Sequence, residues 1–376
     1  MNTRLSAAAW GGDLAAEAAT AADLVCTAVR LCLQVQQELA IARGDDSLGT
    51  TVASSSAAKG SGSSDVKVDG TPVTAADFAI QAYIASQLAE KFPQDRFMGE
   101  EDATDLREDA TLMKTSKTMA LKMMGSTDMN DADMLDAIDR GVESPRGRNE
   151  RVWILDPIDG TKGLITGKQY IVGLALTVAG EAVVAVMGNP GVSPEVMVAV
   201  KGHGLRYWST KGETCVEVPR SIPNNWNLKR YDFSRLVPDA GGADFGWGSG
   251  GAIAGTDYPP YLLSRPMSGG SPLPFGPLCA PSEICCGAQV KYFAVARGDV
   301  AGFIQFQSTL KSWDHAPGVL CVQESGGIAQ DAGGNEILFD DREFKVEKGI
   351  VCCAAEANAM TRQRLVACVQ QTDVAV

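Results

Sequence analysis

The sequence predicts a mixed α/β protein made of two packed domains. Its 376 residues exceed the usual size of a single domain. In some segments apolar residues recur every three or four positions, which predicts amphipathic helices. Other segments are runs of β-branched residues, which predict strands. Both patterns occur along the whole chain, and we place the domain boundary near residue 210, giving domains 1–210 and 211–376.

Two amphipathic helices are predicted in the N-terminal part of the chain. Residues 13–43 carry one apolar stripe, formed by Val25, Val29, Cys32, Val35 and Leu39. A second helix begins near Thr74 and ends before Pro93, and its apolar face comprises Phe78, Ala82, Ala85, Leu88 and Phe92. The intervening segment 44–70 is rich in Ser, Gly and Asp, so we expect it to form a mobile flap over the cleft.

Strand patterns dominate the middle of the chain. Residues 151–155 form a predicted strand that leads directly into Asp156, and residues 170–178 and 181–187 form a predicted hairpin around Ala179-Gly180. The other segments are predicted as helical over 103–150, irregular over 240–281, helical over 281–297, a strand over 300–306 and helical from Trp313 to Gly326.

The composition is that of a soluble globular protein, with 45% hydrophobic and 21% charged residues. The formal net charge is −13, which repels nucleic acids and anionic membranes, so we expect neither as a partner. An acidic protein binds a phosphorylated substrate most readily when bound cations invert the local field. The charge balance therefore favours a metal-dependent enzyme over a protein that binds phosphate through Lys and Arg alone.

The ten cysteines contain no Cys-x-x-Cys pair, and several lie in apolar runs. Buried reduced thiols are the simplest interpretation and indicate a cytoplasmic protein. The two histidines, His203 and His315, are too few for a typical structural zinc site. No run of about 18 apolar residues suggests a membrane span. The N-terminus lacks a signal-peptide core, although a short organelle presequence stays open.

The segment 156–161, Asp-Pro-Ile-Asp-Gly-Thr, is the main candidate for chemistry. Asp156 and Asp159 are expected just past a buried strand, on a turn where both carboxylates converge. Divalent cations such as Mg²⁺ prefer carboxylate, carbonyl and water oxygens, and the Ile158 carbonyl lies between the two acids. Gly160 lets backbone N–H groups approach a phosphate. An acidic surface turn without a metal remains the alternative.

Three further acids have simple structural interpretations when each is taken alone. Asp77 lies three residues after Thr74 and fits a helix capping box. Glu100 belongs to an acidic run that fits a solvated loop, and Asp314 at a helix start is favoured by the helix dipole. Only their joint occurrence with segment 156–161 points to a common site.

The joint pattern resembles the inositol monophosphatase superfamily, from about residue 14 to 365. The motifs that carry the resemblance are Val73-Thr74-Ala75-Ala76-Asp77, Gly99-Glu100-Glu101, Trp153 to Gly163 and Trp313-Asp314-His315-Ala316-Pro317-Gly318. The resemblance implies an αβαβα sandwich of two subdomains with the active site between them. It also implies a magnesium-dependent, lithium-sensitive phosphatase that binds about two to three Mg²⁺ ions per site.

The resemblance implies a role for each matching residue. Glu100, Asp156 and the Ile158 carbonyl would hold a first metal ion, and Asp156, Asp159 and Asp314 a second. A third, weaker metal position would lie near Glu100 and Asp77.

Two residues would have a catalytic role. Asp77 and Thr161 would position and deprotonate the attacking water. The substrate contacts would be Gly160, Thr161, Lys291 and Asp314.

Within the superfamily, the chain looks most similar to the 3′(2′),5′-bisphosphate nucleotidase branch of sulfur metabolism. The motifs Thr161-Lys162-Gly163 and Gln289-Val290-Lys291-Tyr292 carry this similarity. The implied reaction converts adenosine 3′,5′-bisphosphate to AMP and phosphate, by an enzyme that is a monomer or a weak homodimer.

The residues expected to contact the nucleotide differ from the branch pattern. No His occurs in residues 240–285, Gly287-Ala288 replaces an expected Ser, and Gln305 replaces a basic residue. An inositol phosphate or a sugar bisphosphate therefore stays open as the substrate. A catalytically weak sensor of phosphometabolites is the remaining alternative.

Overall fold

The computed structural model places a seven-stranded sheet between two layers of helices. The structure describes residues 12–42, 71–142, 150–167, 169–190, 195–211, 214–218, 262–263, 287–298, 302–305 and 309–355. The helices in these ranges are α1 (Ala15–Ala42), α2 (Thr71–Lys91), α3 (Thr104–Glu108), α4 (Ala110–Met124), α5 (Asp131–Asp139), α6 (Thr161–Thr166), α7 (Gln289–Arg297) and α8 (Ser312–Glu324). A 3₁₀ turn covers Arg140–Val142.

The larger sheet contains the first seven strands in chain order. They are β1 (Arg96–Gly99), β2 (Arg151–Asp159), β3 (Ile171–Val178), β4 (Glu181–Asn189), β5 (Glu195–Val200), β6 (Gly204–Lys211) and β7 (Thr214–Val218). β1 runs parallel to β2, and all later neighbours are antiparallel. The parallel pair places the end of β1 beside the middle of β2, which becomes important for the site.

A second sheet, of four strands, lies on the far side of α7 and α8. The remaining strands are β8 (Leu262–Leu263), β9 (Gly302–Gln305), β10 (Thr309–Lys311), β11 (Ile328–Asp331), β12 (Glu343–Lys345) and β13 (Ile350–Cys353). The order in this sheet is β11-β13-β9-β8, while β10 and β12 form a separate antiparallel pair.

Both faces of the larger sheet are buried. Along β3, Val172, Leu174 and Leu176 belong to the core under α1 and α2, whereas Ile171 and Ala175 belong to the core around α7 and α8. Because side chains alternate between the two faces of a strand, an apolar run without polar interruptions fits a sheet covered on both sides. The described residues thus show four alternating layers of the predicted α/β sandwich, and the fold class is confirmed.

Most predicted elements are confirmed. Helix α1 covers Ala15–Ala42 where residues 13–43 were predicted, and α2 ends at Lys91, before Pro93. The predicted hairpin is β3 and β4, joined by Ala179 (φ +55°) and Gly180 (φ +81°). β9 and α8 lie where a strand and a helix were predicted.

Other predictions lie outside the described residues. These are the flap at 44–70, residues 143–149 of the predicted helical region and all of the excursion at 240–281 except β8. The domain boundary near residue 210 stays a proposal. β7 pairs with β6, so the larger sheet extends through Val218.

Helix α1 is long and apolar enough, by length and composition alone, to cross a membrane. Of its apolar 18-residue window, which lies within Ala15–Ile41, 72% is buried inside the protein. It packs on β3, β4 and β5 and on α2, which is the environment of a core helix.

A partly buried ion-pair network fixes the start of β2. The Asp95 carboxylate accepts hydrogen bonds from Nε and Nη2 of Arg151 at 2.7 and 3.1 Å, and from Nε1 of Trp153 at 3.0 Å. Arg151 also donates to Glu17 of α1 at 2.7 Å. These bonds join α1, the loop before β1 and β2.

We expect Asp95→Asn to lower the free energy of unfolding by about 3 kcal/mol, because an amide N–H₂ would face donors and leave the arginine less well paired. Urea unfolding of the metal-free protein measures the change. A loss below about 0.5 kcal/mol, as for an ordinary surface substitution, would contradict this role.

Candidate metal centre

Strand β2 carries two of the predicted metal ligands within the strand itself. The prediction that Asp156 and Asp159 follow the strand on a turn is wrong, because β2 continues to Asp159. Asp156 pairs with Gly173 and Asp159 pairs with Ile171, so β2 contains one extra residue between these pairs. In a regular strand these two side chains would point to opposite faces, and a one-residue bulge brings them to the same side. Pro157, which has no N–H for the ladder, lies inside the bulge.

A third carboxylate reaches the same point from α8. Asp314 is the third residue of that helix, and carboxylate oxygens of Asp156, Asp159 and Asp314 all lie within 4.8 Å of one another. Asp156 is 1% exposed and Asp159 is 6% exposed. These three residues, which we call the aspartate cluster, therefore come together only when α8 packs on the larger sheet.

Glu100 adjoins the aspartate cluster from β1. Gly99, the last residue of β1, pairs in parallel with Leu155, so Glu100 follows it beside Asp156. The carboxyls of Glu100 and Asp156 lie close enough for each to shift the pKa of the other. The amide group of Gln81 on α2 holds the next residue: it donates to the Glu101 carbonyl at 2.7 Å and accepts from the Glu101 N–H at 3.0 Å.

Burial raises the pKa values of all four acids, and the charges of neighbouring acids raise those of Glu100, Asp156 and Asp159 further. For Asp156 the pKa rises well above its usual range through burial, followed by the charges of Glu100, Asp159 and Asp314. Burial and then Asp314 raise the pKa of Asp159 to about 7. The pKa values of Glu100 and Asp314 are also raised, chiefly by burial. Four such carboxyls are stable as anions only beside a compensating positive charge.

The residues present fit a divalent cation. Among the described residues, none donates a hydrogen bond to Oδ1 of Asp156, although this atom is buried. A buried carboxylate oxygen without a donor, next to two further carboxylates, is the ligand set that hard cations prefer. The Ile158 carbonyl would add a neutral oxygen from the same bulge.

Asp159 has a second structural role, which the sequence did not reveal. Its Oδ1 and Oδ2 accept the N–H groups of Ala288 and Gln289 at 3.0 and 2.6 Å, at the start of α7. A Cβ atom on Gly287 would lie 2.3 Å from Oδ2 of Asp159. The substitution of Gly287-Ala288 for the expected Ser thus allows α7 to begin directly on a carboxylate of the cluster.

Thr161 and Gly160 lie where β2 turns into α6. Gly160 has a left-handed backbone, with φ +92°, and Thr161 is the first residue of α6. Oγ1 of Thr161 donates to the Ile158 carbonyl at 3.3 Å. This hydrogen bond fixes the hydroxyl next to the bulge that carries both aspartates.

Asp77 lies in the second turn of α2, because that helix begins at Thr71 and not at Thr74. The capping-box interpretation therefore does not hold for it. Asp77 is 4% exposed, and burial, followed by the charges of Glu101 and Glu100, raises its pKa well above the usual range. This carboxyl thus lies in the electrostatic field of Glu100 and Glu101.

Lys291 is in the first turn of α7, the helix that begins on Asp159. Burial lowers its pKa, whereas the charges of Asp159 and Asp314 raise it. Its Nζ lies 6.0 Å from the ring centroid of Phe303. It therefore supplies a positive charge close to the aspartate cluster.

His315 is fully buried and does not face the reaction as a base. Its Nδ1 lies 2.8 Å from the Tyr292 hydroxyl, and burial lowers its pKa to about 3. A Cβ atom on Gly318 would lie 2.3 Å from the Tyr292 ring, which shows how closely α7 and α8 pack. His315 therefore supports the packing behind Asp314.

The chain is similar to known proteins over most of its length. The inositol monophosphatase family model matches residues 23–235 and 276–372. A 3′(2′),5′-bisphosphate nucleotidase from Schizosaccharomyces pombe is 31% identical over 311 residues, covering 76% of this chain and 81% of the relative. A protein of Arabidopsis thaliana, named for mitochondrial 3′(2′),5′-bisphosphate nucleotidase, is 32% identical over 303 residues, covering 73% of this chain and 71% of the relative.

A solved structure shares the fold. Mycobacterium tuberculosis SuhB aligns with a TM-score of 0.51 at 15% identity, over 96% of this chain and 98% of that one. The family match, the relatives and the acidic cluster agree. The chain belongs to the inositol monophosphatase family of metal-dependent phosphatases, on the branch of the 3′(2′),5′-bisphosphate nucleotidases.

Proposed function

We propose that this protein is a Mg²⁺-dependent phosphomonoesterase that hydrolyses adenosine 3′,5′-bisphosphate to AMP and phosphate. The observation that carries the proposal is the convergence of Asp156, Asp159 and Asp314 within 4.8 Å, with Glu100 alongside. Relatives named for 3′(2′),5′-bisphosphate nucleotidase support the choice of substrate.

The proposed ligand sets follow the site. Glu100, Asp156 and the Ile158 carbonyl would hold one Mg²⁺ ion, and Asp156, Asp159 and Asp314 a second, with a weaker third position near Asp77. When bound, Mg²⁺ acidifies water near neutral pH and stabilises charge on the reacting phosphoryl group. The carboxylates would attract the cations, and the bound cations would make the local electrostatic field positive. An anionic substrate could then bind at a site built from acidic residues.

The water that attacks phosphorus would be positioned by Asp77 and Thr161. The Thr161 hydroxyl donates to the Ile158 carbonyl, which leaves its oxygen able to accept a hydrogen bond from the attacking water. Helix α2, which carries Asp77, packs against α6, which begins at Thr161. The Asp77 carboxylate would accept the proton that the water loses as it attacks phosphorus.

On the substrate side, Gly160, Thr161, Lys291 and Asp314 are the proposed contacts. The Lys291 ammonium would neutralise a phosphate oxygen, and the glycine leaves room for backbone N–H groups to approach. A second candidate substrate, an inositol phosphate or a sugar bisphosphate, is favoured by Gln305. This residue stands where the nucleotidases carry a basic one, and it is buried in β9.

A substrate panel tests the proposal. With Mg²⁺, we expect phosphate release from adenosine 3′,5′-bisphosphate to exceed that from inositol 1,4-bisphosphate or a sugar bisphosphate, and EDTA should abolish it. The opposite preference would mean that the protein is a phosphatase with a substrate other than adenosine 3′,5′-bisphosphate. If Mg²⁺ binds but no compound on the panel releases phosphate, the result would favour a sensor of phosphometabolites.

Three properties complete the proposal. The protein would act as a monomer or weak homodimer, in the cytoplasm or in an organelle, and millimolar lithium would inhibit it, as the family resemblance implies. Its partner would be a phosphorylated small molecule and not a nucleic acid or a membrane.

A further inference from the structure

Arg342 links the two sides of the metal centre, although it ligates nothing itself. It lies in the loop before β12, more than two hundred residues from Glu100 along the chain. Its Nη1 donates to the carbonyls of Gly99 and Gly141 at 3.0 and 2.5 Å, and its Nη2 lies 3.4 Å from the carbonyl of Glu100. The guanidinium therefore holds the backbone on both sides of the Gly99–Glu100 peptide bond.

The same arginine is also attached to the start of α8. Its guanidinium carbon lies 4.6 Å from the ring centroid of Trp313, the residue before Asp314, which is a cation–π distance. The Ser312 N–H donates to the Arg342 carbonyl at 2.9 Å, and the Ser312 hydroxyl donates to the Asp341 carbonyl. Backbone and side chain of Arg342 are thus fixed to the first turn of α8.

The segment Gly99–Glu101, which we call the Glu100 turn, has little room to move between these contacts. A Cβ atom on Gly141 would lie 2.8 Å from the Gly99 nitrogen, and one on Gly99 would lie 2.4 Å from Oε1 of Gln81. Gln81 holds the turn from the side of α2, and Arg342 holds it from the side of α8. Arg342 is thus bonded both to the segment Gly99–Glu101 and to the first turn of α8.

We propose that Arg342 is a positioning residue that sets the separation between Glu100 and Asp314, and hence the affinity of the site for divalent cations. The inference rests on the proposed function, in which these acids hold Mg²⁺. The planar guanidinium suits this task because its N–H groups form a rigid fork that meets several carbonyls at once, while its face packs on an indole. A lysine ammonium keeps the charge but has neither property.

Arg342→Lys is the decisive variant, because it keeps the positive charge near the acids. We expect its affinity for Mn²⁺, measured by calorimetry on the metal-free protein, to fall about tenfold, as for other residues that orient metal ligands. The Mg²⁺ concentration for half-maximal phosphate release should rise by a similar factor, with little change in the substrate KM at saturating Mg²⁺. Arg342→Met should show at least as large a loss.

Arg297 provides a matched control. It also links two parts of the fold, donating to Glu195 at 2.9 Å with its guanidinium 5.9 Å from the Phe293 ring. Neither of these partners belongs to the segment Gly99–Glu101 or to the first turn of α8. Arg297→Lys should leave the affinity for Mn²⁺ unchanged. Urea unfolding of both lysine variants shows whether stability alone separates them.

Three outcomes would overturn the inference. Wild-type affinity for Mn²⁺ in Arg342→Lys, with a loss only of unfolding free energy, would make Arg342 a purely stabilising residue. Tighter binding in Arg342→Met with normal binding in Arg342→Lys would show that it acts through charge alone. An equal loss of affinity in Arg297→Lys would indicate a general effect of destabilisation. If the wild type released no phosphate, the proposed function would fail, while the calorimetry would still decide the role of Arg342.

Discussion

Asp156→Asn is expected to lower kcat/KM by about a thousandfold or more, because it removes the carboxylate common to both proposed metal positions. That factor corresponds to a loss of roughly 4 kcal/mol of transition-state stabilisation, which is within what metal coordination of a phosphoryl group supplies. The variant should nevertheless fold. Asp156 is buried among Glu100, Asp159 and Asp314, so its neutral isostere relieves repulsion instead of breaking an ion pair.

Activity and stability should therefore change in opposite directions at this position. In EDTA at pH 7.5, we expect the Tm of Asp156→Asn to equal or exceed that of the wild type. Asp95→Asn is the matched control, since it changes another buried aspartate and should lower stability while leaving kcat near normal below its Tm. Near-normal turnover in Asp156→Asn would contradict the assignment of Asp156 as a metal ligand. A loss of Tm as large as that of Asp95→Asn would contradict the expectation that the substitution relieves repulsion among the clustered acids.

The predictable parts of the fold are those that a local pattern specifies. The stripe through Val25, Val29 and Val35 needs no knowledge of its partner to indicate a helix, and α1 forms there with these residues buried. The turn at Ala179-Gly180 is also local. In both cases residues adjacent in sequence carry the whole signal.

The geometry of the site could be predicted only in part. Pro157 and Gly160 resemble turn residues, so the sequence suggested that Asp156 and Asp159 converge on a turn. The structure brings them together by a bulge in β2, whose position is defined by the register with β3. The sequence thus predicted that these acids come together, whereas it did not predict the bulge that aligns them.

The supporting residues were missed for a related reason. Arg342, Gln81 and Gln289 act mainly on backbone groups, through the carbonyls of Gly99 and Gly141, the peptide groups of Glu101 and the carbonyl of Trp313. Every residue type offers the same carbonyl, so such contacts leave no pattern in the sequence. One signal was available in the sequence, namely an amide side chain among apolar residues. Gln81 in α2 is such a residue, and it could have been predicted to hold a buried partner.

Mg²⁺ should stabilise this protein more strongly as the pH rises from about 5 to 8. The Asp159 pKa is raised from 3.8 to about 7 in the folded state, and that of Glu101 from 4.5 to about 7. A carboxyl whose folded pKa is raised binds its proton more tightly in the folded state. Its stabilising contribution is complete below the unfolded pKa and is lost as the pH rises through the folded value. The metal-free protein should therefore lose stability between about pH 4 and 7.

Bound Mg²⁺ reverses this dependence, because it binds the ionised carboxylates of the folded chain and competes with their protons. We expect the difference in Tm between saturating Mg²⁺ and EDTA to grow steadily from pH 5 to pH 8. Asp156→Asn should flatten that growth, because it removes one of the competing carboxylates, whereas Asp128→Asn, at an exposed position, should leave it unchanged. A Tm difference that is constant with pH, or that shrinks as the pH rises, would mean that these acids are not the groups through which the metal stabilises the fold.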